Sequence, residues 1–213
     1  MNPATAIAAA TAKGASTRGM LLERSCEMAA RVGLEGVTIG ELASAAGMSK
    51  SGVFAHFGSR EDLVRQTLDW AAEQFTAHVM APALPQPRGL PRLRAIAAAG
   101  ASWIIAHTAR CVVLGAAMEY DGRHGPMRDH VVDMLERWRA ALERAIALAV
   151  EAGHLRADTD VPLLAFQLHA LMQGLHHARM HQPDRAPDLT RRAVEELFAR
   201  YQAAPAAAPT PDA

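Results

Sequence analysis

VTIGELASAAGMSKSGVFAHFGSREDL, residues Val37 to Leu63, is the stretch that decides the fold of this chain. Thr38 stands three residues ahead of Glu41, the spacing at which a hydroxyl accepts an orphan backbone N–H while the carboxylate reaches back. Ile39, Leu42, Ala43 and Ala46 then recur at i, i+3, i+4 and i+7, which is one apolar helical face. Gly47 tolerates positive φ where that face ends. Met48 is a buried-type residue in the turn, Ser49 is a second N-cap, and Val53 with Phe57 carry an apolar face through a second short helix. Ala43 is small where the two helices must cross. Lys50, Ser51, Gly52, Ala55 and His56 take the outward positions, with small, polar or basic side chains that suit a helix pressed into a major groove. Gly58 and Ser59 break and recap the chain, Asp62 completes another S-x-x-D box, and a longer helix starts at Arg60. Two short helices, a glycine turn and a third helix start are the layout of a DNA-reading head.

The joint spacing of T-I-x-E-L-A, A-G-M-S-K-x-x-V-F and H-F-x-S-R-E-x-L resembles the N-terminal domain of the TetR (tetracycline-repressor-like) family of bacterial transcriptional regulators. The similarity extends upstream, where Thr17-Arg18, the apolar positions Leu21, Leu22, Met28 and Ala29, and Gly33 ahead of Glu35-Gly36 are similar to that family's first helix and exit loop. The resemblance implies an all-α protein, with a three-helix helix-turn-helix DNA-binding domain followed by a helical ligand-sensing and dimerisation domain. It also implies a homodimer on a palindromic duplex, released by a small-molecule effector. Within the head, Lys50 is expected at a guanine edge or a phosphate and Ser51 at a base edge. Gly52, without a side chain, lets the backbone approach the bases. Thr38, His56 and Arg60 match positions at which members of the family commonly touch phosphate, and the N–H groups near Arg60 add an anion site. Phe54 stands where many relatives carry a phosphate-bonding tyrosine and Ala55 where a larger side chain is frequent, so direct readout is expected to be sparse. Core packing is the alternative for Phe54 and Phe57, capping alone for Thr38 and Ser49, and plain solvation rather than a minor groove for Lys13 and Arg18.

The remainder of the chain is read as helical. A helix from Arg60 through Leu63, Leu68, Ala71, Phe75 and Val79 leads to the Pro82, Pro85, Pro87 and Pro91 cluster, a loop. Further helices are expected over about 90–107, 112–120, 127–152, 160–180 and 188–201, ended by the breaker DGRHGP, by Gly153 or by proline. The expected divisions are a disordered arm over 1–15, the DNA-binding domain over 16–62, the effector-binding and dimerisation domain over 63–202, and a disordered Ala/Pro tail over 203–213. The last two long helices of each subunit are expected to form the dimer interface.

Composition fits this class. The chain has 213 residues, half of them apolar, which suffices for a sizeable core. The charge balances to zero, so no global basic field recruits DNA, and among residues 1–60 Lys and Arg exceed Glu by only two. Cys26 and Cys111 lie far apart in different helices, which points away from a disulfide framework, and the apolar run from Ala95 to Ala106 is too short to span a bilayer. The cytoplasm is the expected location, with no membrane partner. No catalytic residue, cofactor or metal is expected.

The effector side is less specific. Trp103, His107, Met118, Met134, Trp138, Phe166, His169 and Met172 are the aromatic, Met and His residues expected to face one interior as a pocket, with plain core as the alternative. The lack of an evident arginine clamp or carboxylate pair favours a neutral, lipophilic or aromatic ligand. His177 and His181 are an i, i+4 pair, and Glu151 and His154 have E-x-x-H spacing, but no partner carboxylates or second motif accompany them. The hydrophobic flank of Cys111 reads as that of a buried, inert thiol. A ligand-independent regulator, or a helical metal carrier or enzyme, are the rival readings.

Overall fold

Capping interactions set the helix boundaries in the computed structural model, which describes residues 3–107 and 111–203, with side chains from Ser16 onward. The described residues form α1 (Pro3–Val32), α2 (Ile39–Ala46), α3 (Lys50–Phe57), α4 (Arg60–Ala83), α5 (Leu90–Ala106), α6 (Val112–Tyr120), α7 (Pro126–Glu151), α8 (Val161–Ala178) and α9 (Ala186–Tyr201). Thr38 Oγ1 accepts from Glu41 N at 3.2 Å and donates to the Glu41 carboxylate at 2.8 Å, so the acid meets the capping hydroxyl itself. Gly47, at φ 64°, ends α2 by turning the Met48 N–H back to Ala43 O at 2.9 Å. Ser49 Oγ accepts from Gly52 N at 3.1 Å, Ser59 Oγ from Asp62 N at 2.9 Å and Asp160 Oδ1 from Leu163 N at 3.0 Å.

Three boundaries differ from the sequence expectation. The α1 backbone is helical from Pro3, through the stretch expected as an irregular arm, because alanine-rich sequence has high helix propensity even where it lacks apolar bulk. Lys13 lies outside the residues whose side chains are described, and the expected tail lies almost wholly outside the described chain. Helix α4 continues one residue beyond Pro82, since a proline in a last turn forfeits only one hydrogen bond. Helix α9 begins at Ala186, where Pro187 fits the first turn.

The chain divides into two compact units, Met1–Thr76 with His107–Met134, and Ala77–Ala106 with Leu135–Ala213. The boundary expected after residue 62 therefore falls inside the first unit, and α6 belongs with the helix-turn-helix. The first unit is built on fully buried Leu21, Val37, Leu42, Val53, Leu63 and Leu68, and the second on Ile146, Leu155, Leu164, Leu175 and Phe198. Burial pushes the Cys26 thiol up to about 11, with the Cys111 thiol a further cause, so it stays protonated at neutral pH. Both cysteines are free, and Cys111 is buried. No described helix is long and apolar enough to cross a membrane.

Within the first unit α1 and α4 are joined by a buried polar pair, Ser25 Oγ and Thr67 Oγ1, 2.7 Å apart. Thr67 already donates to Leu63 O at 2.7 Å, so Ser25 is the donor to Thr67. Thr67→Val should strand the Ser25 hydroxyl and cost about 1–3 kcal/mol in urea unfolding, whereas Ser25→Ala/Thr67→Val, which removes both groups, should recover part of that loss.

Candidate nucleic-acid interface and effector cavity

Helix α3 has one buried side, made by Val53 and Phe57, which fixes what its other side offers to solvent. Lys50, Ser51, Phe54 and Ala55 are exposed there. Phe54 is 52 % exposed, which removes the core reading for it, while Phe57 is core. Ser51 Oγ lies 3.1 Å from Ser49 Oγ. A Cβ on Gly40 would stand 3.1 Å from Lys50 Cε, so the lysine stem lies over α2 at a residue without a side chain. His56 is half-buried and its ring is tilted against Phe57 at 6.4 Å. Arg18 also belongs to the head: its guanidinium lies 5.7 Å from the Phe57 ring centroid and bonds Gln66.

Arg60 is arranged otherwise than the phosphate expectation requires. Its Nε donates to Val37 O at 3.0 Å, and its Nη2 donates to Glu35 O at 2.5 Å and to Glu35 Oε2 at 3.1 Å. The guanidinium thereby ties the start of α4 to the loop between α1 and α2. The same loop is gripped from α6, where the Glu119 carboxylate accepts Leu34 N at 2.9 Å and Glu35 N at 2.8 Å. Gly33, at φ 83°, makes this possible, because a Cβ there would stand 2.9 Å from Glu119 Oε1. Tyr120 O–H donates to Glu35 Oε1 at 2.5 Å, and Arg123 pairs with the same oxygen at 3.4 Å. The Tyr120 hydrogen bond is the largest cause holding the Glu35 carboxyl below its ordinary range, with Arg60 and Arg123 adding to it against partial desolvation. Burial and the Glu35 charge push the Tyr120 phenol upward.

The second unit contains a partly open cavity of about 180 Å³. Met80, Leu84, Ile96, Trp138, Leu142 and Leu148 form its apolar wall, and Arg92 and Arg144 also line it.

Residues 21–67 match the bacterial regulatory proteins of the tetR family, and residues 89–194 match the tetracyclin repressor-like C-terminal domain. The chain belongs to the TetR family. It is 29 % identical over 153 residues to the HTH-type transcriptional repressor KstR2 of Mycobacterium tuberculosis, covering 70 % of this chain and 74 % of that protein. Its fold is similar to that of a TetR-family regulator from Cytophaga hutchinsonii, with TM-score 0.79, 20 % identity, and 91 % and 98 % of the two chains covered. It is also similar to AibR, solved with isovaleryl coenzyme A and operator DNA, with TM-score 0.68, 20 % identity and coverages of 85 % and 98 %. This TetR-family protein is a DNA-binding transcriptional regulator and not an enzyme.

Most of the residues expected at an effector pocket do not line this cavity. Of the eight, Trp138 alone lines the cavity. Met118 is 67 % and Phe166 69 % exposed, and His107 is exposed as well. For Phe166 the reason is helical phase, since Leu164, Ala165, Leu168 and Leu175 are the buried side of α8 and Phe166 lies opposite. Met134 is buried in the first unit. Trp103 lies against His78 with ring centroids 5.1 Å apart, and Met172 Sδ would lie 3.8 Å from a Cβ at Gly100. His169 Nε2 lies 3.2 Å from Gln173 Nε2, and burial lowers its pKa. The E-x-x-H histidine is structural, because His154 Nδ1 accepts Leu90 N at 3.2 Å and so caps α5. The His177 and His181 rings meet edge-on at 5.6 Å, and no group of three potential ligands is placed to hold a metal among the described residues.

Sequence reasoning missed Glu35, Glu119, Tyr120 and Arg123. Glu35 and Tyr120 are 85 residues apart, beyond any local pattern. A pH test follows from their arrangement. Because the folded pKa of Glu35 is depressed, its contribution is present above the ordinary carboxylate range and is lost as pH falls through the folded value. Melting curves between neutral and acid pH should show wild type losing stability on acidification, and Glu35→Gln losing less over the same interval.

Proposed function

We propose that this TetR-family regulator is a homodimeric repressor that reads a palindromic operator through paired α3 helices and releases it when a small effector occupies the cavity of the second unit. The observation that carries the DNA reading is the outward side of α3. Lys50, Ser51, Phe54 and Ala55 face solvent there because Val53 and Phe57 are buried. One helix of eight residues makes few base contacts, so two heads related by a two-fold axis are needed for specific binding.

Exposed apolar side chains on the last two helices support dimerisation. Leu163 and Phe166 of α8, Met180 just beyond it, and Leu189 of α9 are all exposed, a surface that a second copy's α8 and α9 would cover. Repression is supported by the likeness to KstR2, named a repressor, and effector control by AibR, whose complex holds an acyl coenzyme A and operator DNA. Helix α4 runs unbroken from the head to Met80 and Ala83, and Met80 lines the cavity, so a ligand there acts on the helix that carries the head. Release requires the ligand to favour a spacing of heads that no longer fits successive major grooves, by a preference of about 10⁴-fold for a near-complete switch.

Binding of the full chain to a selected palindromic duplex, measured by fluorescence anisotropy over a range of salt, tests the head. Lys50→Ala should cost about 1–3 kcal/mol and relax specificity at one base position. Arg60→Ala should weaken all sequences alike and leave the salt slope unchanged, because its donors are engaged by Glu35 and Val37. Undiminished affinity for the operator in Lys50→Ala would contradict the assignment of α3. A slope lowered by about one per subunit in Arg60→Ala would show that Arg60 turns to phosphate on binding.

A further inference from the structure

We infer that the cavity of the second unit takes an organic anion with a compact apolar body, its acid group held by Arg144. The inference rests on the proposed effector role of this cavity and adds the chemistry of the ligand. A volume of about 180 Å³ is close to the ~150 Å³ of engineered apolar cavities that admit benzene, so the space fits a single ring or a short branched chain, with the rest of the ligand outside. Trp138, Leu142 and Leu148 of α7 and Ile96 of α5 supply the apolar surface for that body.

The two arginines decide the head group. Arg92 is fixed in place by donating to Leu84 O at 3.0 Å and to Gln86 O at 2.8 and 3.2 Å, which leaves its full positive charge in the lining without a carboxylate partner. Arg144 has neither a hydrogen bond nor an ion pair among the described residues, although the neighbouring Arg139 on the same helix is paired with both Glu136 and Glu143. Two cations that line one cavity, neither paired with a carboxylate among the described residues, are matched by a carboxylate or phosphate. Such a group makes charge-assisted hydrogen bonds, about twice as strong as neutral ones, and a planar guanidinium takes its two oxygens together. Arg144 is exposed and Arg92 half-buried, so with a neutral ligand both charges would be left to solvent. The inference departs from the expectation of a neutral effector. That expectation rested on the absence of an arginine clamp, which the sequence hides because Arg92 and Arg144 lie on different helices, α5 and α7, with α6 between them.

Calorimetry on the purified full-length protein with 4-phenylbutyrate, with the isosteric alcohol 4-phenylbutan-1-ol, and with 4-phenylbutyryl coenzyme A tests the inference. The acid or its thioester should bind about tenfold or more tightly than the alcohol, the worth of a charge-assisted pair. That preference should vanish in Arg144→Gln, persist largely in Arg144→Lys and be untouched in Arg137→Ala, an exposed arginine of α7 outside the cavity. Ala145→Trp, which fills the cavity, should abolish binding of every probe, and melting curves would establish that each variant is folded. A thioester that outbinds the free acid by a margin lost in Arg144→Gln assigns the anion to phosphate, and the reverse order assigns it to carboxylate. Equal binding of acid and alcohol, an acid preference retained in Arg144→Gln, or binding of none of the three would overturn the inference. Probes that bind with the expected preference but leave the operator complex intact would keep the site and remove its effector role.

Discussion

The Glu119 carboxylate, laid across the Leu34 and Glu35 N–H groups, is the contact on which the placement of the reading head depends. It joins α6 to the loop that leads into α2, and the loop in turn engages α4 through Arg60. An ionised carboxylate that accepts two backbone N–H groups is a strong and directional constraint. Here it is possible only because Gly33 leaves the space. Glu35, whose backbone is held by Glu119, has its side chain shared among Tyr120, Arg60 and Arg123. The position of the helix-turn-helix is therefore a property of charged groups from three separate parts of the chain. The buried apolar side chains set the shape of the head, and this cluster sets its attachment to α6.

The surface left for DNA is spare. Lys50 and Ser51 are the polar side chains on the exposed side of α3, followed by Phe54 and Ala55, while Arg60 is occupied within the protein. A helix with this exposed side offers few polar side chains to base edges. The exposed phenyl ring of Phe54 has no hydroxyl for a phosphate, but it offers an apolar surface of the kind that meets a thymine methyl group.

What the sequence shows is what local spacing determines. The caps at Thr38, Ser49 and Ser59 and the turn at Gly47 are each written within a few residues, and the helix ends they imply are those observed. Contacts between distant residues leave no such trace. Arg60 reads as a surface cation at a helix start until Glu35 and Val37 are placed beside it. Phe166 and Met118 read as pocket residues by type, but the phase of each helix turns them to solvent. The cavity is assembled from α4, α5 and α7, and no local spacing brings Met80, Ile96 and Trp138 together.

The operator affinity of Glu119→Gln tests the central claim most directly. A glutamine keeps one acceptor oxygen, replaces the other by a donor and lies far along the chain from every residue of α3. If the carboxylate positions the head, the variant remains folded but binds operator and unrelated duplex DNA more weakly by a similar factor, with faster amide exchange at Leu34 and Glu35. Wild-type operator affinity, with those two amides exchanging freely, would contradict it.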